Sequence, residues 1–262
     1  MQIIVTLKQV PDPNIPPQHL QIDPAGRQVV LPFGVPAVTN GYDANALEEA
    51  LRLREKHGGR ITAVSLGGDA SRESLKRAIA MGADKAVLLN DPAWTGLDSA
   101  GVGTVLAAAI RKIGEFDLIL CGRQASDTDG GQVLHWIAET LNVPAVSPVV
   151  KIEEAADGAL IVRRMTENGF QRLRVGMPAL LGISSEINEP RFASPRGTLA
   201  AGRALIPAWK AVDLGVGTLA PRVELRRLQI QQRTASAVLI PGGSGSEQGA
   251  ALAEKLHELG VV

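Results

Sequence analysis

The chain opens on an uninterrupted apolar run from Gln2 to Leu7, with none of the polar alternation of a half-exposed strand. That pattern predicts a parallel strand buried on both faces. Lys8, Gln9 and Asp12 follow it, at the end where open α/β sheets place their ligands. Pro11, Pro13, Pro16 and Pro17 then exclude regular structure. Residues 14–38 are expected to form a long irregular excursion with a small ribbon near Val29–Phe33, and a loop of that length inside a compact domain generally has a function. Helical spacing returns over 44–57, where Leu47, Ala50, Leu51 and Arg54 share a face, with Asp43 as the expected N-cap and Gly58-Gly59 as the stop. Ile61–Leu66 reads as a strand ending in Gly67-Gly68, and Ser71 as the cap of a helix that Gly82 stops. A strand over Lys85–Leu89, a helix over 99–113 and a strand over Leu118–Cys121 come next. A further apolar-periodic segment runs from Gln132 through Val133, Trp136, Ile137 and Leu141. Such alternation predicts parallel βαβ units with right-handed crossovers.

Beyond Pro144 the pattern changes. Val149–Ile152, Ala159–Met165 and Phe170–Val175 are short strand-like runs separated by Asp157-Gly158 and Asn168-Gly169, dipeptides that signal hairpins. Ala179–Ile183 is expected to return the chain to the parallel sheet. Residues 186–218 form a second long segment, partly helical around 197–204, and Val223–Leu228 reads as one more strand. Ile240–Gly245 resembles a flexible link to a last helix over 246–259, carrying Ala250, Leu252, Leu256 and Leu259.

Candidate chemistry concentrates after the 118–121 strand. Gly122 breaks it into a polar loop with Arg123, Gln124, Ala125, Ser126, Asp127, Thr128 and Asp129, and Gly130-Gly131 lead into the helix at Gln132. Strand, glycine-containing loop and helix together present backbone N–H groups to an anion. Asp127 and Asp129 leave three readings open: nucleotide contacts, a Mg²⁺ or acid–base pair, and plain turn formation. The sequence lacks the G-x-x-x-x-G-K-[ST] of γ-phosphoryl transfer and a G-x-G-x-x-G at the first strand–helix turn. Gly101 and Gly103 lie inside a helical pattern, where they imply no ligand. Cys121 reads as a small buried thiol.

Composition narrows the class further. The 262 residues carry equal numbers of acidic and basic side chains, so no global field draws in nucleic acid or anionic lipid. One cysteine excludes a disulfide framework, and four histidines leave little for a zinc site. Aromatic residues are only 3%, so the core is built from aliphatic side chains. Without a cationic-apolar leader or an apolar run near about 18 residues, a cytoplasmic location without membrane insertion is expected.

Four stretches resemble the beta subunit family of electron transfer flavoproteins. They are Val5–Asp12, Asn40–Asp43 leading into Ala46–Ala50, Gly122–Asp129 with Gln132-Val133, and Asn188–Phe192. Asp213–Gly215 and Gln232–Ala235 reinforce them. The resemblance implies an open, mostly parallel sheet with helices on both faces, of adenine nucleotide α-hydrolase type, with a small antiparallel hairpin insertion and a C-terminal arm. It implies a core over 1–185, including the 148–176 hairpin region, and a partner-recognition segment with an arm packing on the partner over 186–262. It also implies a structural AMP in this subunit and the redox-active FAD in an alpha subunit that completes a heterodimer, with a dehydrogenase or quinone oxidoreductase as redox partner. The implied nucleotide site is Thr6 beside the adenine, Asn40, Gly41, Tyr42 and Asp43 as a second wall, Leu66 as a cover, and Gly122–Val133 around the phosphate. Asp127 and Asp129 would hold loop or ribose hydroxyls. Some members instead hold a second FAD here and bifurcate electrons from NADH, and that alternative stays open. A free-standing nucleotide sensor fits poorly with the segments after 185.

Three residues depart from the family pattern. Leu134 stands where glycine is usual, and Gly41 replaces a proline. Pro195 replaces the leucine that anchors a dehydrogenase. Residues 191–203 are expected to form an exposed docking loop in which Arg191, Pro195, Arg196 and Arg203 meet the partner, with Phe192 tucked inward.

Overall fold

The computed structural model describes residues 1–16, 19–230 and 237–261. Pro17 and the Gln232–Ala235 stretch lie outside the described residues. Two compact units divide the chain, Met1–Leu228 and Gln229–Val262.

In the first unit the expected alternation is present. β1 (Gln2–Thr6) is followed by α1 (Gly41–His57), β2 (Arg60–Leu66), α2 (Arg72–Met81), β3 (Lys85–Leu89), α3 (Ser99–Ile113), β4 (Leu118–Gly122) and α4 (Val133–Leu141). β5 (Ala145–Ala156), β6 (Ala159–Thr166) and β7 (Gly169–Gly176) form an antiparallel meander, and β8 (Ala179–Ile183) returns to the parallel part. Asp157 and Gly158 both adopt positive φ between β5 and β6, the conformation that two-residue hairpin turns need. The sheet has nine strands, in the order β7-β6-β5-β8-β4-β1-β2-β3 with the two-residue β9 (Ala208–Trp209) at the far edge. β1 lies parallel to both neighbours, with Val5 opposite Ala63 on β2 and Leu120 on β4.

Aliphatic side chains fill both faces. Leu47, Ala50 and Leu51 of α1 and Leu75 and Ala78 of α2 pack on one side of the sheet, with Ile3, Val5 and Ile61. Val105, Leu106 and Ile110 of α3 and Leu134 and Ile137 of α4 pack on the other, with Ile4, Val64 and Ile119. Gly103 explains itself here, because a Cβ at that position would stand 2.4 Å from the Trp136 Cβ. Its glycine lets α3 and α4 pack closely, and Trp136 is a packing residue with the Arg222 guanidinium 5.0 Å over its ring.

Two expected elements differ. Val223–Leu228 joins no described strand ladder. The Arg222 and Val223 N–H groups donate instead to Asp98, and the Leu228 N–H donates to the Gly26 carbonyl. The docking loop expected over 191–203 is largely helix, in keeping with the helical reading around 197–204: α5 (Pro195–Arg203) starts at a Ser194 cap and packs on α2. A Cβ at Gly197 would lie 2.0 Å from the Ala80 carbonyl oxygen, so only glycine allows that approach. The chain then adds β9 to the sheet and the short α6 (Ala211–Leu214).

The second unit contributes α7 (Gly245–Glu258), begun by a Ser244–Glu247 capping box. No helix among the described residues is long and apolar enough to cross a membrane.

Candidate functional site

The strand order reverses beside β1. From it the chain winds outward through β2 and β3, then crosses back to place β4 on the opposite flank. The segment after β1 leads to α1 on one face, and the loop after β4 leads to α4 on the other. Adjacent strands whose connections diverge to opposite faces leave a crevice at their carboxyl ends, the place where open α/β sheets bind ligands. Thr6 ends β1 and Gly122 ends β4, so both fall at this switch point.

Asp43 joins the pieces. It was expected to cap α1, but the helix begins three residues earlier, with Asn40 in the cap position. The buried carboxylate of Asp43 accepts the Lys8 N–H at 2.7 Å and the Gly122 N–H at 2.9 Å. These two donors leave the ends of β1 and β4, so one side chain ties both strand exits to α1. Burial pushes Asp43 up to about 7, against the opposing pull of those amides. Gly122 is required there, because a Cβ would come within 2.4 Å of that carboxylate. Asn40 does for the loop what Asp43 does for the strands. Its amide donates to the Gln124 carbonyl at 2.8 Å, and its side-chain oxygen accepts the Ser126 N–H at 3.2 Å.

Past the strand, Arg123 donates its N–H to the Ile183 carbonyl at 2.9 Å and lays its guanidinium 4.9 Å over the Tyr42 ring. Its Nη2 donates to the Tyr42 hydroxyl at 3.2 Å. Its Nε is buried without a partner among the described residues. Ala125 accepts from the Thr128 and Asp129 N–H groups, turning the chain. The left-handed positions are Asp129 and Gly131, at φ 47° and 59°. Ser126, Asp127, Thr128, Asp129 and Gly130 face outward, and α4 starts after Gln132. Gln132 makes no side-chain cap, so the first amides of the helix, at Val133 and Leu134, have no side-chain acceptor there.

Both loop acids have partners. Lys8 reaches Asp127 at 2.7 Å, and the Gln124 amide donates to Asp129 at 2.9 Å. A phosphate placed here would meet helix-start amides without a side-chain acceptor, one acid neutralised by Lys8 and one hydrogen-bonded by an uncharged amide, a set that fits a nucleotide phosphate. Thr6 and Leu66 stand at the ends of neighbouring strands. Cys121 is buried, and burial drives its thiol up to about 12, too high for a nucleophile. Among the described residues no cluster of His, Cys, Asp and Glu could hold a metal. A cavity of about 90 Å³ between α1 and β5, lined by Glu49, Arg52 and Glu153, is too small for a nucleotide and lies elsewhere.

The residues expected to meet a partner separate into two groups. Arg191 is engaged within the chain, donating through Nε to Glu48 at 2.7 Å and also pairing with Glu55. Burial works to raise Glu48, but Arg191 and Arg52 outweigh it and hold the carboxyl below its ordinary range. Asn188 beside it exchanges hydrogen bonds with Asn45 and reaches Glu49 at 3.0 Å. Phe192, expected to tuck inward, is 92% exposed. Arg196, Leu199 and Arg203 are exposed along one side of α5, and Pro195 is exposed at its first turn. Lys8 lies within the first of the resembling stretches and Glu48 within the second, but neither was singled out as a site residue, and Glu55 carried no sequence signal.

An open, mostly parallel sheet with a stapled loop at its switch point places the chain in the adenine nucleotide α-hydrolase-like class of α/β proteins. The family model of the electron transfer flavoprotein domain matches residues 29–214. An electron transfer flavoprotein subunit beta from Thermoanaerobacterium thermosaccharolyticum is 44% identical over 75% of this chain and 73% of its own. The caffeyl-CoA reductase-Etf complex subunit CarD from Acetobacterium woodii is 36% identical over 100% of both. Protein FixA from Azorhizobium caulinodans is 37% identical over 82% of this chain and 77% of its own. The chain belongs to the electron transfer flavoprotein beta subunit family, whose work is electron transfer.

Proposed function

We propose that this chain is the beta subunit of a heterodimeric electron transfer flavoprotein and holds a structural AMP at the β1–β4 switch point. The observation that supports the nucleotide most is the loop after β4, whose acids are already paired while the first two amides of α4 have no side-chain acceptor. In this reading the adenine lies against Thr6, Leu66 and the Asn40–Asp43 wall, and the phosphate meets the 122–133 loop. The subunit performs no bond-making itself. FAD on an alpha subunit supplies the redox chemistry, and this chain shapes and stabilises the complex. Phe192 and the Arg196–Leu199–Arg203 stripe of α5 face the redox partner, a dehydrogenase or quinone oxidoreductase. Arg191 supports that surface from behind. α7 is the arm that reaches the alpha subunit.

A second reading gives the same pocket to a second FAD, with NADH as the electron source. It draws support from the full-length match to a subunit of a reductase complex. Co-expression with an alpha subunit, followed by extraction of bound nucleotides, separates the two. One FAD and one AMP per heterodimer supports the first reading, and two FAD and no AMP the second. A beta chain that forms no complex and carries no adenylate refutes both.

A further inference from the structure

Lys8 is fastened at each of its polar groups. Its N–H donates to Asp43 at 2.7 Å, and its carbonyl accepts the Asn40 N–H at 2.9 Å. Its ammonium crosses to Asp127 at 2.7 Å, 119 positions away in sequence. Lys8 therefore touches the α1 wall through its backbone and the β4 loop through its side chain. A phosphate seated on the amides before α4 shares that loop with Asp127. Like charges sharing one loop repel, and more strongly where protein displaces water. Without its ammonium partner, Asp127 would oppose the anion.

We propose that Lys8 is a positioning residue of the nucleotide site, neutralising Asp127 and holding the loop so that a dianionic adenylate phosphate is accepted. This rests on the adenylate reading above. The plainer view treats Lys8 and Asp127 as a surface ion pair, since their side chains are 42% and 22% exposed. Such a pair adds little to stability and carries no dependence on the charge of a ligand. The two views therefore part over which ligand feels the loss of Lys8.

The test uses the heterodimer stripped of nucleotide, with AMP and adenosine titrated calorimetrically into the parent, Lys8→Met, Asp127→Asn and the double variant. Lys8→Met is expected to weaken AMP about tenfold, equivalent to about 1.4 kcal/mol, while adenosine changes by less than about twofold. Asp127→Asn alone should change AMP and adenosine binding in equal measure, and the double variant should bind AMP more tightly than Lys8→Met. Loss of AMP and adenosine binding in equal measure would make Lys8 merely structural. Unchanged AMP binding in Lys8→Met, or a double variant as weak as Lys8→Met, would also overturn the proposal while leaving the adenylate reading intact. A parent that binds neither ligand would remove that reading itself. Should Lys8→Met fail to fold, the salt dependence of AMP binding decides with Asp127→Asn alone. Releasing Lys8 toward the phosphate should steepen it, and a slope identical to the parent's would refute the pairing.

Discussion

Replacing Asp43 by Asn tests the junction on which both walls of the site hang. The carboxyl is buried, and it titrates near 7 rather than at its ordinary 3.8 because burial disfavours the charge. A raised carboxyl contributes stability fully present below about 4 that is lost as pH rises through about 7. At about 1.4 kcal/mol per decade of proton concentration, that span amounts to roughly 4 kcal/mol. About 3 kcal/mol of it falls between pH 5 and pH 8, a range free of general acid unfolding. Asn has nearly the same shape and no charge at any pH. Its amide opposes one of the two N–H donors at a constant cost of about 1–3 kcal/mol. The difference between parent and variant therefore moves with pH through Asp43, with Lys8 as the charged neighbour that acts on it. At about 2–4 °C per kcal/mol for a domain of this size, the melting temperature of Asp43→Asn should gain roughly 6–12 °C on the parent from pH 5 to pH 8. Calorimetric scans of both proteins in matched buffers measure it. A difference that stays constant, or that moves the other way, would show that Asp43 is not a buried carboxyl held neutral by its surroundings.

Other expectations follow from single contacts. Gly131 has φ 59° beside the start of α4, so Gly131→Val strains the loop and should expel the nucleotide. The accompanying loss of stability is about 3–4 kcal/mol if ligand exceeds its dissociation constant by about 100- to 1,000-fold, and nucleotide content with melting temperature reports both. Gly103→Ala forces a methyl to 2.4 Å from Trp136 and should destabilise by about 1–3 kcal/mol, read from urea midpoints with nucleotide content unchanged. Replacing Arg196 and Arg203 together by Ala should slow electron transfer to the partner and flatten its salt dependence, whereas Arg191→Ala should slow it with the salt slope kept. Equal slopes for the parent and the double variant in stopped-flow reduction would remove α5 from the docking surface.

Most of the fold was legible because each parallel strand is an apolar run closed by a glycine or a polar turn. The helix over 99–113 and the strands over 85–89 and 179–183 fall where periodicity put them. Local rules failed where tertiary donors competed. Asp43 has the chemistry of a cap, but two strand-end amides claim its carboxylate, and the helix start moves to Asn40. Val223–Leu228 has strand composition without a partner edge, and Asp98 takes its first amides. Phe192 was expected to tuck inward as support for the neighbouring arginines, yet its ring is exposed. The loop after β4 was legible as an anion-facing segment from its glycines. Its wiring was not, because Lys8 and Asn40 reach it from about 80 to 120 positions away, beyond any local pattern.

The central claim is that an adenylate sits between the exits of β1 and β4. Amide hydrogen exchange on the nucleotide-stripped heterodimer, with and without saturating AMP, tests it most directly, or with FAD if that is what co-purifies. The account predicts slowed exchange at 123–136 and 40–43, with the β6–β7 hairpin unchanged. Binding without protection in 123–136, or with protection confined to other parts of the chain, would contradict it.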